Sequence, residues 1–119
     1  MSDEQAIGAV VHLYVDGMAF CNEAALRKAF HPDAKIIGHY RGAVEWMSRD
    51  DFIAATLAEP PAPPGTQPLM DIEITDIEGD AAFVKVADEF GGMRFSDYLS
   101  LLKIDGRWVI VNKLFHLHR

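Results

Sequence analysis

The chain has 119 residues, of which 50% are hydrophobic, with eleven Lys and Arg against eighteen Asp and Glu and a single cysteine. This length bounds it to one domain, 1–119, and the net charge of −7 gives no basic patch for a phosphate backbone, so no nucleic-acid partner is expected. The lone Cys21 excludes an intrachain disulfide and a Cys-based zinc cluster. Met1 to Gln5 is acidic and polar with no positive region before an apolar stretch, and no run of 18 apolar residues occurs. A cytoplasmic protein that does not meet a membrane is expected. A small domain has little interior, so its apolar surplus needs an internal cavity or a subunit interface.

Ile7, Val10, Val11, Tyr14, Val15 and Met18 recur at helical spacing, which predicts a first amphipathic helix. Ser2 with Gln5 resembles a capping box at its start. Asn22 caps a second helix with the apolar face Ala25, Leu26, Ala29 and Phe30, stopped by His31-Pro32. Ala34 to Tyr40 and Val44 to Met47 read as strands. Ser48 and Asp51 then open a third helix carrying Phe52, Ile53, Thr56 and Leu57, which ends before Pro60. Five of the six prolines fall between Pro60 and Pro68, an extended rigid loop.

The remaining chain is all strand: Leu69 to Ile77, Ala81 to Phe90, Met93 to Ile104 and Arg107 to Leu117. Glu78-Gly79-Asp80, Gly91-Gly92 and Asp105-Gly106 separate them as hairpin turns. The order predicts an α+β fold with helices on one face of a curved antiparallel sheet. Leu99 to Leu102 and Trp108 to Val111 are apolar on both faces. A sheet with one wet face would alternate instead, so the outer face is expected to form a homodimer.

Asp97 and Lys113 are the leading candidates for chemistry. A three-residue loop Ile104-Asp105-Gly106 makes them face each other on the inner face, beside Leu99, Leu101, Val109, Val111 and Phe115. A two-residue turn Asp105-Gly106 instead sets Lys113 opposite Tyr98, on the other face from Asp97. Inside, the two charges must pair or meet a ligand. Tyr14 lies on the apolar helix face with a hydroxyl that needs a partner. Tyr40, Trp46, Phe52, Phe95, Val111 and Phe115 complete the expected ligand contacts, with plain core as the alternative for Trp46, Phe52 and Phe95. One of Asp88 and Glu89 could face inward, although most acids at hairpin ends are solvated. His116 and His118 share a strand face, but zinc needs at least three converging ligands, so no metal and no cofactor are expected. No Gly-rich phosphate loop or nucleophile elbow appears.

Tyr14-Val15-Asp16-Gly17, Ala29 to Ala34, Ser96 to Leu102 and Asp105 to Lys113, in that order and spacing, resemble the nuclear transport factor 2-like (SnoaL-like, cystatin-like) superfamily. The likeness is greatest to its bacterial "putative lumazine-binding" group. It implies a cone-shaped half-barrel with three helices in the N-terminal half packed on the concave face, a pocket between the sheet and the first helix, and a dimer across the outer face. It also favours the register with Lys113 inside. A more distant likeness to ketosteroid isomerase assigns hydrogen-bonding roles to Tyr14 and Asp97, and its general base falls at Gly38, which has no side chain. Tyr40 shares the face of Gly38 but is a weak base near neutral pH.

The expected function is a homodimeric small-molecule-binding domain that holds a largely apolar ligand in an internal pocket. One alternative is an isomerase-, dehydratase- or cyclase-type enzyme with Asp97 and Tyr14 catalytic. The other is a non-catalytic association domain.

Overall fold

In the computed structural model, which describes residues 1–119, three helices pack on one side of a six-stranded curved sheet. The helices are α1 (Asp3–Ala19), α2 (Glu23–Ala29) and α3 (Arg49–Leu57). The strands are β1 (Phe30–Tyr40), β2 (Ala43–Ser48), β3 (Met70–Glu78), β4 (Ala81–Phe90), β5 (Met93–Ile104) and β6 (Arg107–Leu117). The order across the sheet is β2-β1-β6-β5-β4-β3. The fold is α+β, as the spacing predicts, but the sheet is not antiparallel throughout. β1 and β6 run parallel, which the hairpin turns alone do not reveal. No helix is long and apolar enough to cross a membrane.

Helix α1 begins with a complete capping box between Ser2 and Gln5. Its buried stripe is Ile7, Val11, Tyr14, Val15 and Met18. Asp3 fixes its N-terminal end to the sheet by accepting from Trp108 Nε1 at 3.0 Å and Lys103 Nζ at 3.1 Å. Helix α2 is shorter than the sequence suggests. It ends at Ala29, and Phe30 to Pro32 already belong to β1. Phe30 stays buried nonetheless, edge-on to Tyr14 with ring centroids 5.3 Å apart.

The last hairpin decides what faces inward. Asp105 and Gly106 both have positive φ, 51° and 77°, and Ile104 pairs with Arg107. The loop is therefore the two-residue turn, which on its own would turn Lys113 outward. A β-bulge between Ser100 and Leu101 intervenes. Leu101 pairs with Ile110 and Ser100 with Asn112, so Val111 is the extra residue. Trp108 and Ile110 point inward before it, and Lys113 and Phe115 point inward after it. This corrects one expectation: Val111 and Val109 do not face the pocket, and Trp108 and Ile110 take the inward positions before the bulge. Asp97 pairs with Phe115, so Lys113 is its diagonal neighbour rather than its opposite.

Deleting Val111 is expected to join the Leu101–Ile110 and Ser100–Asn112 pairs into one unbroken ladder, with Lys113 still opposite Leu99 on the inner face and only the bend at the bulge lost. Lys113 should therefore stay slower toward acetic anhydride than the surface lysines, as peptide mass mapping would show. Lys113 reacting like a surface lysine would mean that the strand had slipped instead.

Candidate functional site

Four elements bring the polar interior together. Tyr14 comes from the buried stripe of α1, Asp88 from β4, Asp97 from β5 and Lys113 from β6. Alternation explains Asp88: Val84, Val86 and Asp88 are successive inward positions of β4, and all are fully buried. The Tyr14 hydroxyl donates to Asp97 Oδ2 at 2.6 Å, which gives that phenol the partner it needs.

Both oxygens of Asp88 and Oδ1 of Asp97 find no donor if the acids are ionised. A proton on Asp88 relieves this in part, because the protonated carboxyl can donate to its neighbour. Burial pushes the Asp88 pKa up to about 10, and a hydrogen bond to Asp97 and that group's charge add to the rise; Lys113 opposes it. Asp88 is thus a neutral acid at pH 7, as expected for two carboxyls sharing a dry site. Burial also pushes the Tyr14 phenol well above its ordinary range, reinforced by the charges of Asp88 and Asp97. Tyr14 therefore acts as a donor.

Lys113 is 5% exposed and forms no ion pair. Its Nζ sits instead among three rings, 4.5 Å from the centroid of Phe52, 5.0 Å from Tyr14 and 5.5 Å from Phe115. Aromatic faces partly replace a counter-ion there.

Lys113 also lines a cavity of about 160 Å³, nine of whose thirteen lining residues are hydrophobic. An apolar cavity of roughly 150 Å³ accepts benzene, so this space fits one small ring. The walls include Phe52, Phe95, Phe115 and Tyr40, four of the predicted contacts. Tyr14 and Asp97 are not in the lining; they stand behind it, fully buried. Trp46 is 70% exposed and pairs with Ile37 on the outer face. Its neighbours Glu45 and Met47 line the cavity instead. The edge-strand pairing sets that face, and composition does not mark it. The cavity lies against α3, through Phe52, Ala55 and Thr56, and α1 contributes only Met18. The pocket expected at the first helix is thus displaced toward the third.

Gly38 explains itself. A Cβ there would lie 2.6 Å from the Phe115 carbonyl oxygen and 2.8 Å from its ring. The Phe115 ring fills the room that the isomerase likeness reserves for a base. Glu45, the cross-strand partner of Gly38, is half-buried at the cavity wall. Sequence reasoning missed Glu45. The signal was available only through the pairing of its strand with Ala34 to Tyr40.

Outside this interior, His116 and His118 stack edge-on with centroids 4.8 Å apart, and His118 Nε2 lies 2.7 Å from Ser96 Oγ. No group of three or more His, Cys, Asp or Glu is placed to hold a metal. Cys21 Sγ lies 3.2 Å from the carbonyl oxygen of Glu59.

A family described as "Putative lumazine-binding" matches residues 2–116. The chain belongs to that family. A protein from Silicibacter pomeroyi described as NTF-2 like and of unknown function has the same fold, with a TM-score of 0.91, 35% identity, and 99% of this chain and 100% of that one covered. A structure described as a putative ketosteroid isomerase from Shewanella frigidimarina matches with a TM-score of 0.69 at 24% identity over 93% of this chain and 94% of its own, a likeness of fold. Among characterised proteins, "Aldolase FrzH" of a Cladobotryum species is 28% identical over 97% of this chain and 91% of its own length.

Two outcomes follow from the buried network. Asp88 has a raised pKa in the fold, so its contribution to stability is full below the unfolded value and is lost as pH rises. From the unfolded value up to about pH 10 the folded state keeps a proton that the unfolded state releases, so stability falls as pH rises through that window. Asp88→Asn should flatten that decline in denaturant titrations across this range. Tyr14→Phe should leave Asp97 Oδ2 without its donor and cost about 1–3 kcal/mol, measured at pH 7 by urea unfolding.

Proposed function

We propose that the domain binds a small, ring-sized and largely apolar molecule in the cavity, with its one polar head against Lys113. The observation that carries this is a buried lysine without an ion pair at the wall of an apolar cavity. Leaving a charge so placed without a partner is costly, and an anionic or carbonyl head supplies the missing partner. Tyr14, Asp97 and Asp88 stand behind Lys113 and hold the polar floor rigid.

The working unit is proposed as a homodimer through the outer sheet face. Trp46, Ile37, Leu114 and Tyr98 form one row across four strands there, and Trp46 and Leu114 are exposed. A patch of this kind favours association. A cytoplasmic setting accords with the single cysteine.

Benzoate and benzyl alcohol serve as probes of the cavity. Lys113→Met should weaken benzoate binding at least about ten-fold, or about 1.4 kcal/mol, in calorimetric titration, and leave benzyl alcohol nearly unaffected. Equal benzoate affinity in both proteins would sink the reading. For the dimer, sedimentation should give two chains for the wild type and one for Leu114→Glu; a wild-type monomer at micromolar concentration would remove it.

A second reading is an enzyme that moves a proton beside a carbonyl group. Glu45 favours it as a carboxylate in the cavity wall opposite Gly38, and the relative named an aldolase agrees in kind. Asp97 and Tyr14 would tune this site from behind the wall. Acetophenone in D2O tests it: methyl deuteration should be catalysed by the wild type and lost in Glu45→Gln. Asp97→Asn and Tyr14→Phe should slow it. No exchange above the solvent rate would dismiss acetophenone-like substrates.

A further inference from the structure

We infer that Lys113 is a covalent carbonyl-capturing residue, which forms an iminium with a small aldehyde held in the cavity. The inference rests on the cavity being a ligand site and goes beyond it by assigning a bond. Lysines that form such adducts lie in apolar pockets that hold the carbonyl group against the nitrogen. Lys113 is the one buried lysine of five; Lys28, Lys35 and Lys103 are exposed and Lys85 is half-buried. No carboxylate lies within ion-pair distance to tie up its nitrogen.

The reaction balances within this site. The ammonium and the aldehyde give a protonated imine and one water. The nitrogen forms a bond to the carbonyl carbon, and the two protons it gives up leave in the water formed from the carbonyl oxygen. The product carries the same single positive charge at the same nitrogen. The rings of Phe52, Tyr14 and Phe115 that surround the ammonium therefore surround the iminium equally well. No oxidant, reductant or metal is consumed. Asp88, which holds its proton at neutral pH, lies on the same sheet face and within the electrostatic reach of Lys113. It lies behind the cavity lining rather than in it, so both protons of the departing water come from the nitrogen, relayed by water, and Asp88 keeps its own. The size of the cavity restricts the partner to an aldehyde of about one ring.

Benzaldehyde with sodium cyanoborohydride traps the adduct as a stable benzyl-lysine. Peptide mass mapping should find Lys113 labelled at least ten-fold faster than any other lysine. Benzyl alcohol, which fits the same space and forms no imine, should slow that labelling. Lys113→Arg, which keeps the charge, should abolish the fast event while circular dichroism shows it folded, and Lys113→Met provides a second check. Label confined to Lys28, Lys35, Lys85 and Lys103 would overturn the inference. If benzyl alcohol still raised the melting temperature in that case, the cavity reading would stand alone. If it did not, both would fall.

Discussion

One residue too many in β6 organises the interior. The turn at Asp105 and Gly106 sets a register that would direct Lys113 away from the helices. Val111, bulged out of the ladder, reverses the alternation halfway along the strand. The lower half therefore contributes Trp108 and Ile110 to the core, and the upper half contributes Lys113 and Phe115 to the cavity. A regular strand could supply one of these sets but not both. β1 shifts register against β6 between Phe30 and Lys35, at the same level. Such paired irregularities bend a sheet, and the bend makes the hollow that α3 covers.

Inside that hollow the charges are arranged for containment rather than mutual neutralisation. Asp88 keeps its proton, Asp97 takes the Tyr14 hydroxyl, and Lys113 is held by ring faces. A direct Lys–Asp bridge would quench the nitrogen. The diagonal placement of Asp97 and Lys113 leaves it toward the cavity. Two aromatic side chains, Phe95 and Phe115, pack edge-on at 5.8 Å and belong to the same wall. The acids are thus part of the foundation, and the lysine is the group at the surface of the pocket.

Much of the architecture was legible in the sequence. The spacing of Ile7 to Met18 and the glycine turns between the last four strands give the elements and their order. Tyr14 was readable as a buried phenol in need of a partner from its place on the apolar helix face, and Asp97 is the partner it finds. The bulge was not readable, because Val109, Ile110 and Val111 are alike and nothing chemical marks the extra residue. Lys113 faces inward as the resemblance favours, by way of a turn and a bulge rather than the three-residue loop. Trp46 misled for a different reason: a large aromatic on a six-residue edge strand carries no mark of which face is covered. Asp88 could have been placed more firmly from its alternation with Val84 and Val86, against the general tendency of acids to be solvated.

The close approach of Phe115 to Gly38 couples two positions far apart in the chain. A side chain at 38 and a ring at 115 compete for one volume, and the backbone oxygen beside it cannot yield as a side-chain tip could. The order of change is therefore constrained. A lineage that trades the ring for a carboxylate at 38 must first make room at 115 and shift the strand, and would pass through an intermediate with a larger, less well-filled cavity.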